Sequence, residues 1–255
     1  MPPTAPPAKE TAATLRRLAG ACAFAVAGMI LAAPALAQVE TRATYDLTLR
    51  GLRAATLTVS AQETRSAYGA RAALQSAGLL RMIKSLSFDT SADGRVENGR
   101  FRPARYTENV DLGSRKSSAE LAFVNGVPEV RRAEPARPPR DRDVAPETQG
   151  GTIDPLTAIF IGLRDQPRAT LCTTDSFLFD GRRRSRVVLS NPQANGREVT
   201  CAGLYQRIAG FSEREMAEKT DFPFRITYAP GADGLMQARE VRLETLYGPA
   251  VLTRR

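Results

Sequence analysis

Six Asx-Gly dipeptides are spread along this chain, and they constrain its fold more than any other feature. They are Asp93-Gly94, Asn98-Gly99, Asn125-Gly126, Asp180-Gly181, Asn195-Gly196 and Asp233-Gly234. Asn and Asp tolerate the left-handed backbone that two-residue hairpin turns require, and glycine adopts it without steric cost. A chain with so many of these turns is predicted to fold as a succession of antiparallel β hairpins.

The segments between the turns alternate apolar and polar residues with the period of a β-strand. The pattern is clear over 45–49 and again over 55–61, on either side of Gly51. It recurs at 105–112, 120–124, 177–179, 187–189, 225–228 and 240–246. Period-two alternation is typical of strands with one buried face. We therefore predict a mainly β fold, either a single curved antiparallel sheet or an open or partly closed β-barrel-like domain, with an apolar concave face.

The first 37 residues have the organisation of a cleavable secretory signal. Arg16-Arg17 precedes an apolar stretch over 18–33, and Ala35-Leu36-Ala37 provides small residues for cleavage. The apolar stretch is shorter than the roughly 20 residues of a membrane-spanning helix. We expect cleavage after Ala37, leaving 38–255 as a single β-rich periplasmic domain without a transmembrane anchor.

The chain is basic, with a formal net charge of +9. In an exported protein we expect this charge to face anionic lipid, lipopolysaccharide or another envelope polymer rather than nucleic acid. The alternative is that the arginine-rich composition reflects the base composition of the genome and no binding surface at all.

Histidine is absent from the sequence. Its absence excludes Ser-His-Asp and Cys-His catalysis, histidine-ligated metals and an imidazole pH switch. The chain also lacks a phosphate-binding loop, an EF-hand spacing and a nucleophile elbow. We predict no catalytic residue, metal site or cofactor, and whether the chain is an enzyme stays open because a pair of carboxylates can still catalyse hydrolysis.

Two consecutive segments break the strand pattern. Residues 133–151 are rich in proline and charge, and we interpret them as a flexible loop within one sheet. Asp154-Pro155 then combines an N-cap residue with proline at the first helical position, which predicts a short helix over 156–164.

The predicted helix is apolar on nearly every side, so we expect the sheet to enclose it. Its candidate ligand-contacting residues are Leu156, Ile159, Phe160 and Leu163. They either complete the core or plug or cover a hydrophobic cavity, with 133–151 as the hinge.

Cys172 and Cys201 are the cysteines that remain after signal cleavage, and in an oxidising compartment they predict a disulfide. Two-residue turns at 180–181 and 195–196 would place both cysteines beside a shared middle strand, about 9.6 Å apart. Bonded Cα atoms lie within about 7 Å. Either Cys172 precedes its strand and folds across the sheet, or the loops are longer.

Arg182, Arg184 and Arg186 follow the Asp180-Gly181 turn with the spacing of one strand face. Such a stripe binds phosphates or carboxylates well. The alternative is a solvated, charged edge that resists aggregation.

Three stretches of the chain carry a family resemblance. They are Phe179-Asp180-Gly181-Arg182-Arg183, the sequence CAGLYQRIAGF at 201–211 and the sequence LETLYGPA at 243–250. They resemble an uncharacterised proteobacterial envelope family, domain of unknown function 3108, over most of the chain from about Tyr45. The resemblance implies an exported, β-rich envelope protein and assigns no catalytic residue. The layout is also similar to the periplasmic lipoprotein-carrier fold.

These observations favour a non-enzymatic periplasmic protein that binds a hydrophobic or anionic envelope component, such as lipid or lipopolysaccharide, or an envelope partner protein. The alternatives are a carboxylate-dependent hydrolase of an envelope polymer and a purely structural role in envelope integrity.

Overall fold

A computed structural model describes residues 38–78, 86–136 and 138–255, which form one antiparallel sheet of 13 strands. The predicted export signal lies outside the described residues. The strands are β1 (Val39–Leu49), β2 (Leu52–Glu63), β3 (Ala67–Ser76), β4 (Ser87–Glu97), β5 (Arg100–Asp111), β6 (Lys116–Val124), β7 (Val127–Glu134), β8 (Thr174–Phe179), β9 (Arg184–Asn195), β10 (Glu198–Ala209), β11 (Asp221–Pro230), β12 (Met236–Thr245) and β13 (Gly248–Arg254).

The order of the strands is simple. Strands β1 to β7 form one meander, β8 to β13 form a second, and the pairing of β1 with β13 joins the two. The sheet curls until its outer strands, β7 and β8, face each other across a seam, so that it nearly closes into a barrel. The predicted mainly β fold with a curved, partly closed sheet is confirmed.

Four of the six Asx-Gly dipeptides lie wholly in turns between consecutive strands, as predicted. In Asn195-Gly196, Asn195 is the last residue of β9 and only Gly196 lies in the turn. The prediction for Asp93-Gly94 is wrong, because this pair lies inside β4 at an irregularity in its pairing with β5. A Cβ atom at Gly94 would overlap the Arg102 carbonyl and lie 2.8 Å from the Tyr68 ring. Glycine is needed there for close packing of neighbouring groups and not for a turn.

The concave face carries the core, and the strand registers show how it is filled. Small and large side chains lie opposite one another along one row across β2 to β6: Ala61, Ala70, Ala92, Tyr106 and Leu121. All five are buried. The small side chains leave space inside the sheet for other elements, as dense packing requires.

Helix α1 (Pro155–Leu163) occupies part of this space. The Phe160 ring stacks on Tyr68 with centroids 5.7 Å apart and meets Phe101 edge-on at 5.4 Å. From the other half of the sheet, the Tyr228 hydroxyl donates a hydrogen bond of 2.7 Å to the Gly162 carbonyl. The helix therefore packs inside the curved sheet and contacts both meanders, as its apolar composition predicted.

Ion pairs fix the segment that follows α1. Arg254 on β13 contacts Asp165 at 2.7 Å, and both side chains are buried. Gln237 on β12 donates a hydrogen bond of 3.0 Å to the same carboxylate, so its oxygens are satisfied. Arg164 pairs with Glu63 of β2 at 2.8 Å. These contacts hold α1 at the end of the barrel where β2 turns into β3.

Asp154, the N-cap of α1, gives the fold a pH dependence. It is fully buried and accepts hydrogen bonds from the backbone N–H of Thr157 at 2.8 Å and from its hydroxyl at 2.6 Å. Burial raises the pKa of Asp154 from 3.8 to about 6, although these hydrogen bonds oppose the shift.

We expect the Asp154 carboxyl to stabilise the fold by up to about 3 kcal/mol at pH 4 relative to pH 7. Between its unfolded and folded pKa values the folded state binds the proton more tightly, so this stability is lost as the pH rises through about 6. Urea unfolding of wild type and Asp154→Asn at pH 4 to 7 measures the difference. Asparagine still caps a helix, and a pH-independent gap between the two proteins would contradict the prediction.

A second helix, α2 (Glu213–Glu218), lies between β10 and β11 and was not predicted. Ser212 and Glu215 form a complete capping box, with the Ser212 hydroxyl accepting from the Glu215 N–H at 3.2 Å. The Ser-x-x-Glu spacing was a readable signal for this helix. Within the described part of the chain, neither helix has the length and apolar character needed to cross a membrane.

Parts of the segment 133–151, which was predicted to be a flexible loop, have secondary structure and hydrogen bonds to the sheet. Its first two residues belong to β7, and a 3-10 turn covers Pro146–Thr148. The Val144 N–H donates to the Arg182 carbonyl at 2.8 Å, and the Gly151 N–H donates to the Gly126 carbonyl at 2.9 Å. Residues 143–151 thus contact both sides of the seam and close it, which their composition did not indicate.

Cys172 and Cys201 form a disulfide with Cα atoms 5.3 Å apart. Cys201 lies on β10, whereas Cys172 precedes β8 and adopts a left-handed backbone conformation with φ of 57°. The chain before β8 therefore folds back past β9. Of the two arrangements considered from the sequence, the one in which Cys172 precedes its strand is the one observed.

Candidate functional site

A cleft of about 680 Å³ lies at the seam of the barrel, and we call it the seam cleft. Strands β5 to β7 form one wall, the turn between β8 and β9 forms the second, and Pro135 together with residues from 139–147 forms the third. Its lining residues are Glu108, Arg115, Ser117, Ser118, Ala119, Leu121, Val130, Ala133, Glu134, Pro135, Pro139, Arg140, Asp143, Val144, Ala145, Pro146, Glu147, Asp180, Gly181, Arg182 and Arg183.

The floor of the seam cleft is apolar. Leu121 and Val130 lie opposite each other on β6 and β7, and Ala119 lies opposite Ala133. A Cβ atom at Gly181 would lie 3.3 Å from the Leu121 side chain, so the β8–β9 turn packs directly on this floor. The floor offers a surface for an apolar group of a ligand.

Asp180 shapes the turn that carries Arg182 and Arg183. One of its carboxylate oxygens accepts hydrogen bonds from the backbone N–H groups of Arg182 at 3.0 Å and Arg183 at 2.8 Å. This arrangement is an Asx turn, which fixes where both arginine side chains leave the backbone. Burial raises the pKa of Asp180, and the two N–H donors oppose the shift.

Arg182 is incompletely satisfied. Its Nη1 atom lies 3.5 Å from an Asp143 oxygen, which brings opposite charges together without forming a hydrogen bond. That nitrogen is buried and has no hydrogen-bond partner, and one Asp143 oxygen is in the same state. A buried donor without a partner is costly, and a ligand oxygen at this place would relieve that cost.

Glu108 lies deeper in the cleft, beside the core. It is partly buried, and its carboxylate accepts a hydrogen bond of 2.8 Å from the buried Tyr106 hydroxyl. Burial raises the pKa of Glu108, the Tyr106 hydroxyl opposes the shift, and the Asp180 charge adds to it. The cleft therefore holds two carboxyl groups that protonate more readily than in water.

The predicted arginine stripe is corrected by the structure. Arg182 lies in the turn before β9 and lines the seam cleft, whereas Arg184 and Arg186 lie outside it. Arg184 lies 4.1 Å from the Phe177 ring centroid and donates to Gln149 at 3.1 Å. Arg186 forms two hydrogen bonds to Asp175, of 2.7 and 2.6 Å. The three residues do not form one free cationic face.

The candidate helix residues also lie away from the seam cleft. Leu156, Phe160 and Leu163 are buried in the core, and Ile159 is 40 % exposed on the outer side of α1. None of the four lines the seam cleft. Their packing fits a helix that completes the core, and not a lid over this cleft.

Sequence reasoning missed Glu108 and Asp143. Glu108 follows Tyr106 on the same face of β5, so an acid at an inward position of a strand was a detectable signal. Asp143 had no comparable signal, because it lies in a segment without periodicity. Across 38–78, 86–136 and 138–255 no group of three or more His, Cys, Asp or Glu side chains is arranged to hold a metal ion.

The model of one protein family, described as Protein of unknown function (DUF3108), matches residues 44–200. This range contains 179–183 and ends before the stretches at 201–211 and 243–250. No curated protein matches the chain. One similar solved structure is that of a beta-barrel-like protein of domain of unknown function DUF1849 from Brucella abortus. It is 17 % identical, the alignment covers 87 % of this chain and 98 % of that chain, and the TM-score is 0.45.

Proposed function

We propose that this chain, which belongs to the family Protein of unknown function (DUF3108), is an exported, non-enzymatic protein that binds an amphipathic, anionic component of the cell envelope in the seam cleft. The apolar part of the ligand lies on the Leu121 and Val130 floor. Its anionic group pairs with Arg182.

The observation that carries the proposal is the buried Nη1 atom of Arg182, which lacks a hydrogen-bond partner beside an apolar floor. A phosphate or carboxylate oxygen supplies the missing acceptor through a charge-assisted hydrogen bond. Arg115 and Arg140 also line the cleft and add positive charge to a lining that includes five acidic side chains, those of Glu108, Glu134, Asp143, Glu147 and Asp180. An alkyl chain gains by leaving water for the floor.

Export is the second part of the proposal. It is supported by the signal-like organisation of residues 1–37 and by the Cys172–Cys201 disulfide. Structural disulfides persist mainly in oxidising compartments, of which the periplasm is one. In that compartment the available amphipathic anions are membrane lipids and lipopolysaccharide.

We expect decyl phosphate to bind the full chain and Arg182→Gln to weaken its binding about tenfold, since a hydrogen bond to a charged group is lost. Arg186→Gln is the matched control, because Arg186 is held by Asp175 outside the cleft. Isothermal titration calorimetry of the three proteins measures the effect, with decyl maltoside as the uncharged counterpart of the ligand. Equal affinities in all three proteins would exclude the Arg182 site.

Native mass spectrometry can detect the natural ligand as a co-purifying adduct. Protein purified from a membrane-containing extract is expected to carry a co-purifying lipid, whereas Arg182→Gln loses it. A spectrum of the wild type without any adduct would contradict the proposal.

A carboxylate-dependent hydrolase is the second candidate, because Glu108 and Asp180 share the cleft and burial raises the pKa of both. A raised pKa suits a general acid. The two candidates differ in what happens to the bound molecule. A binding protein leaves the mass of the bound molecule unchanged after long incubation. A hydrolase releases a fragment of that molecule, and its Glu108→Gln variant releases none.

A further inference from the structure

Two strongly exposed apolar side chains lie on neighbouring hairpin tips. Leu52 follows the β1–β2 turn and is 70 % exposed, and Tyr247 lies in the β12–β13 turn and is 72 % exposed. The two turns are neighbours because β1 pairs with β13, with Leu49 opposite Ala250. We call Arg50, Leu52, Leu246 and Tyr247 the hairpin-tip patch.

Hydrogen bonds tie together the backbones of the two turns that carry the hairpin-tip patch. Arg50 has φ of 51°, and its backbone N–H donates to the Pro249 carbonyl at 2.9 Å. Its guanidinium also donates to the Tyr247 carbonyl, which ties one tip to the other. On the second tip, the Tyr247 N–H donates to the Thr245 hydroxyl at 3.0 Å. Because the tips are held in place, little conformational entropy remains to be lost on binding.

The alternating strand directions place further exposed apolar groups at the same end of the barrel. Leu246 in the β12–β13 turn and Leu112 in the β5–β6 connection are each 38 % exposed. Helix α1 lies at the opposite end, where β2 turns into β3. The end that carries the hairpin-tip patch is therefore distinct from the end closed by α1.

Basic side chains also lie at this end of the barrel. Arg50, Arg115 and Lys219 form no salt bridge with any residue in the described part of the chain, whereas Arg53 pairs with Asp46 and Lys116 with Asp111. Lys219 reaches towards the Glu244 carbonyl beside the β12–β13 turn at 3.4 Å. Arg50 and Lys219 donate to backbone carbonyls, and no salt bridge within the described part of the chain neutralises their charges or that of the exposed Arg115.

We propose that the hairpin-tip patch docks this end of the barrel on an anionic lipid membrane. Leu52 and Tyr247 enter the boundary between headgroups and acyl chains, where tyrosine is favoured because its ring is apolar and its hydroxyl polar. Arg50 and Lys219 pair with lipid phosphates. Convex tips with few apolar side chains suit shallow insertion, whereas a protein interface needs about 800 Å² of complementary surface on each partner.

The position of the seam cleft agrees with this docking, although the inference does not depend on the proposed ligand. Arg115 and the turn 180–183 line the cleft and lie at the end of the barrel that carries the hairpin-tip patch. A barrel docked through this end holds its cleft next to the bilayer surface.

The chain has no tryptophan, so a single introduced tryptophan reports on one position. We expect the emission of full-length Tyr247→Trp to shift to the blue, and to become protected from aqueous iodide, when phosphatidylglycerol–phosphatidylethanolamine vesicles are added. Phosphatidylcholine vesicles give a smaller shift, and raised salt reverses the shift through screening. The emission comes only from the tryptophan at position 247. Insertion of the apolar stretch at 18–33 into the bilayer therefore does not by itself produce the blue shift.

Val124→Trp is the matched control, since Val124 is 43 % exposed at the β6–β7 hairpin of the opposite end. Its emission is expected to stay unchanged. An equal shift at both positions, or none at Tyr247→Trp, overturns the proposal. If the hairpin-tip patch instead docks a protein, the emission of Tyr247→Trp does not change when protein-free vesicles are added.

A second substitution tests the energetics in the Tyr247→Trp protein. Leu52→Ser is expected to require about tenfold more anionic lipid for the same shift, since one leucine side chain no longer leaves water. Ile159→Ser removes a similar side chain, 40 % exposed on α1, and leaves the titration unchanged. An unchanged titration for Leu52→Ser overturns the role of the tips.

Discussion

Reduction of the Cys172–Cys201 disulfide lowers the free energy of unfolding by about 3–4 kcal/mol, as the chain-entropy model gives for a loop of this size. The two cysteines are 29 residues apart in the sequence, and both are buried in the core. The bond joins the segment before β8 to β10, on the far side of β9. Without it, β8 at the edge of the sheet keeps mainly its pairing with β9. Urea unfolding of the oxidised and reduced protein measures the loss.

The control for this experiment is a variant without the bond. Cys22 is replaced by Ser in every protein so that only one pair can form, and Cys172→Ala with Cys201→Ala then serves as the reference. Reductant is expected to lower the midpoint of the bonded protein and leave that of the reference unchanged. Equal midpoints of the bonded protein with and without reductant would show that the bond does not stabilise the fold.

The strand architecture was largely readable because its signals are local. Asn98-Gly99 and Asn125-Gly126 fix two turns through their own backbone preferences, with φ values near 50° at each asparagine. Asp93-Gly94 has the same composition and lies inside a strand, because the approach of Tyr68 decides the role of Gly94. That approach depends on pairing between residues far apart, which no dipeptide encodes.

Strands β3, β4, β7, β10 and β13 were not among the segments predicted from alternation, for a related reason. The inward residues of β3 and β4 include several alanines, whose small side chains give little contrast with polar neighbours. These alanines are buried because Tyr106 and α1 fill the space inside the sheet that the small side chains leave. Tertiary packing, and not the propensity of these segments, therefore makes them strands.

The candidate site was only partly predictable. Arg182 was identified from the spacing of the arginine run, yet its role in the cleft comes from its position in the Asp180 turn and from Asp143, 39 residues earlier. The proline-rich segment gave no sign of closing the seam. Its order rests on hydrogen bonds to Gly126 and Arg182 and not on an apolar face. Amino-acid composition reveals an apolar face but not hydrogen bonds of this kind.

Truncation of Phe160 to alanine is expected to reduce the free energy of unfolding by about 3–5 kcal/mol, as for other buried phenylalanines. The ring is almost fully buried between Tyr68 and Phe101. Both neighbours are anchored on separate strands, so they cannot easily collapse into the space that the ring leaves. Urea unfolding monitored by circular dichroism measures the change.

Ile159→Ala is the matched control because it shortens the adjacent side chain of the same helix. Ile159 is 40 % exposed, and its truncation is expected to cost much less than that of Phe160. A helix that only covered the surface would lose similar stability at either position. If α1 fills the barrel, only truncation of Phe160 causes a large loss in the free energy of unfolding. The Phe160 ring contacts strands of the first meander, and Tyr228 of the second meander hydrogen-bonds to the same helix. Comparable costs at the two positions would contradict the enclosed packing of α1.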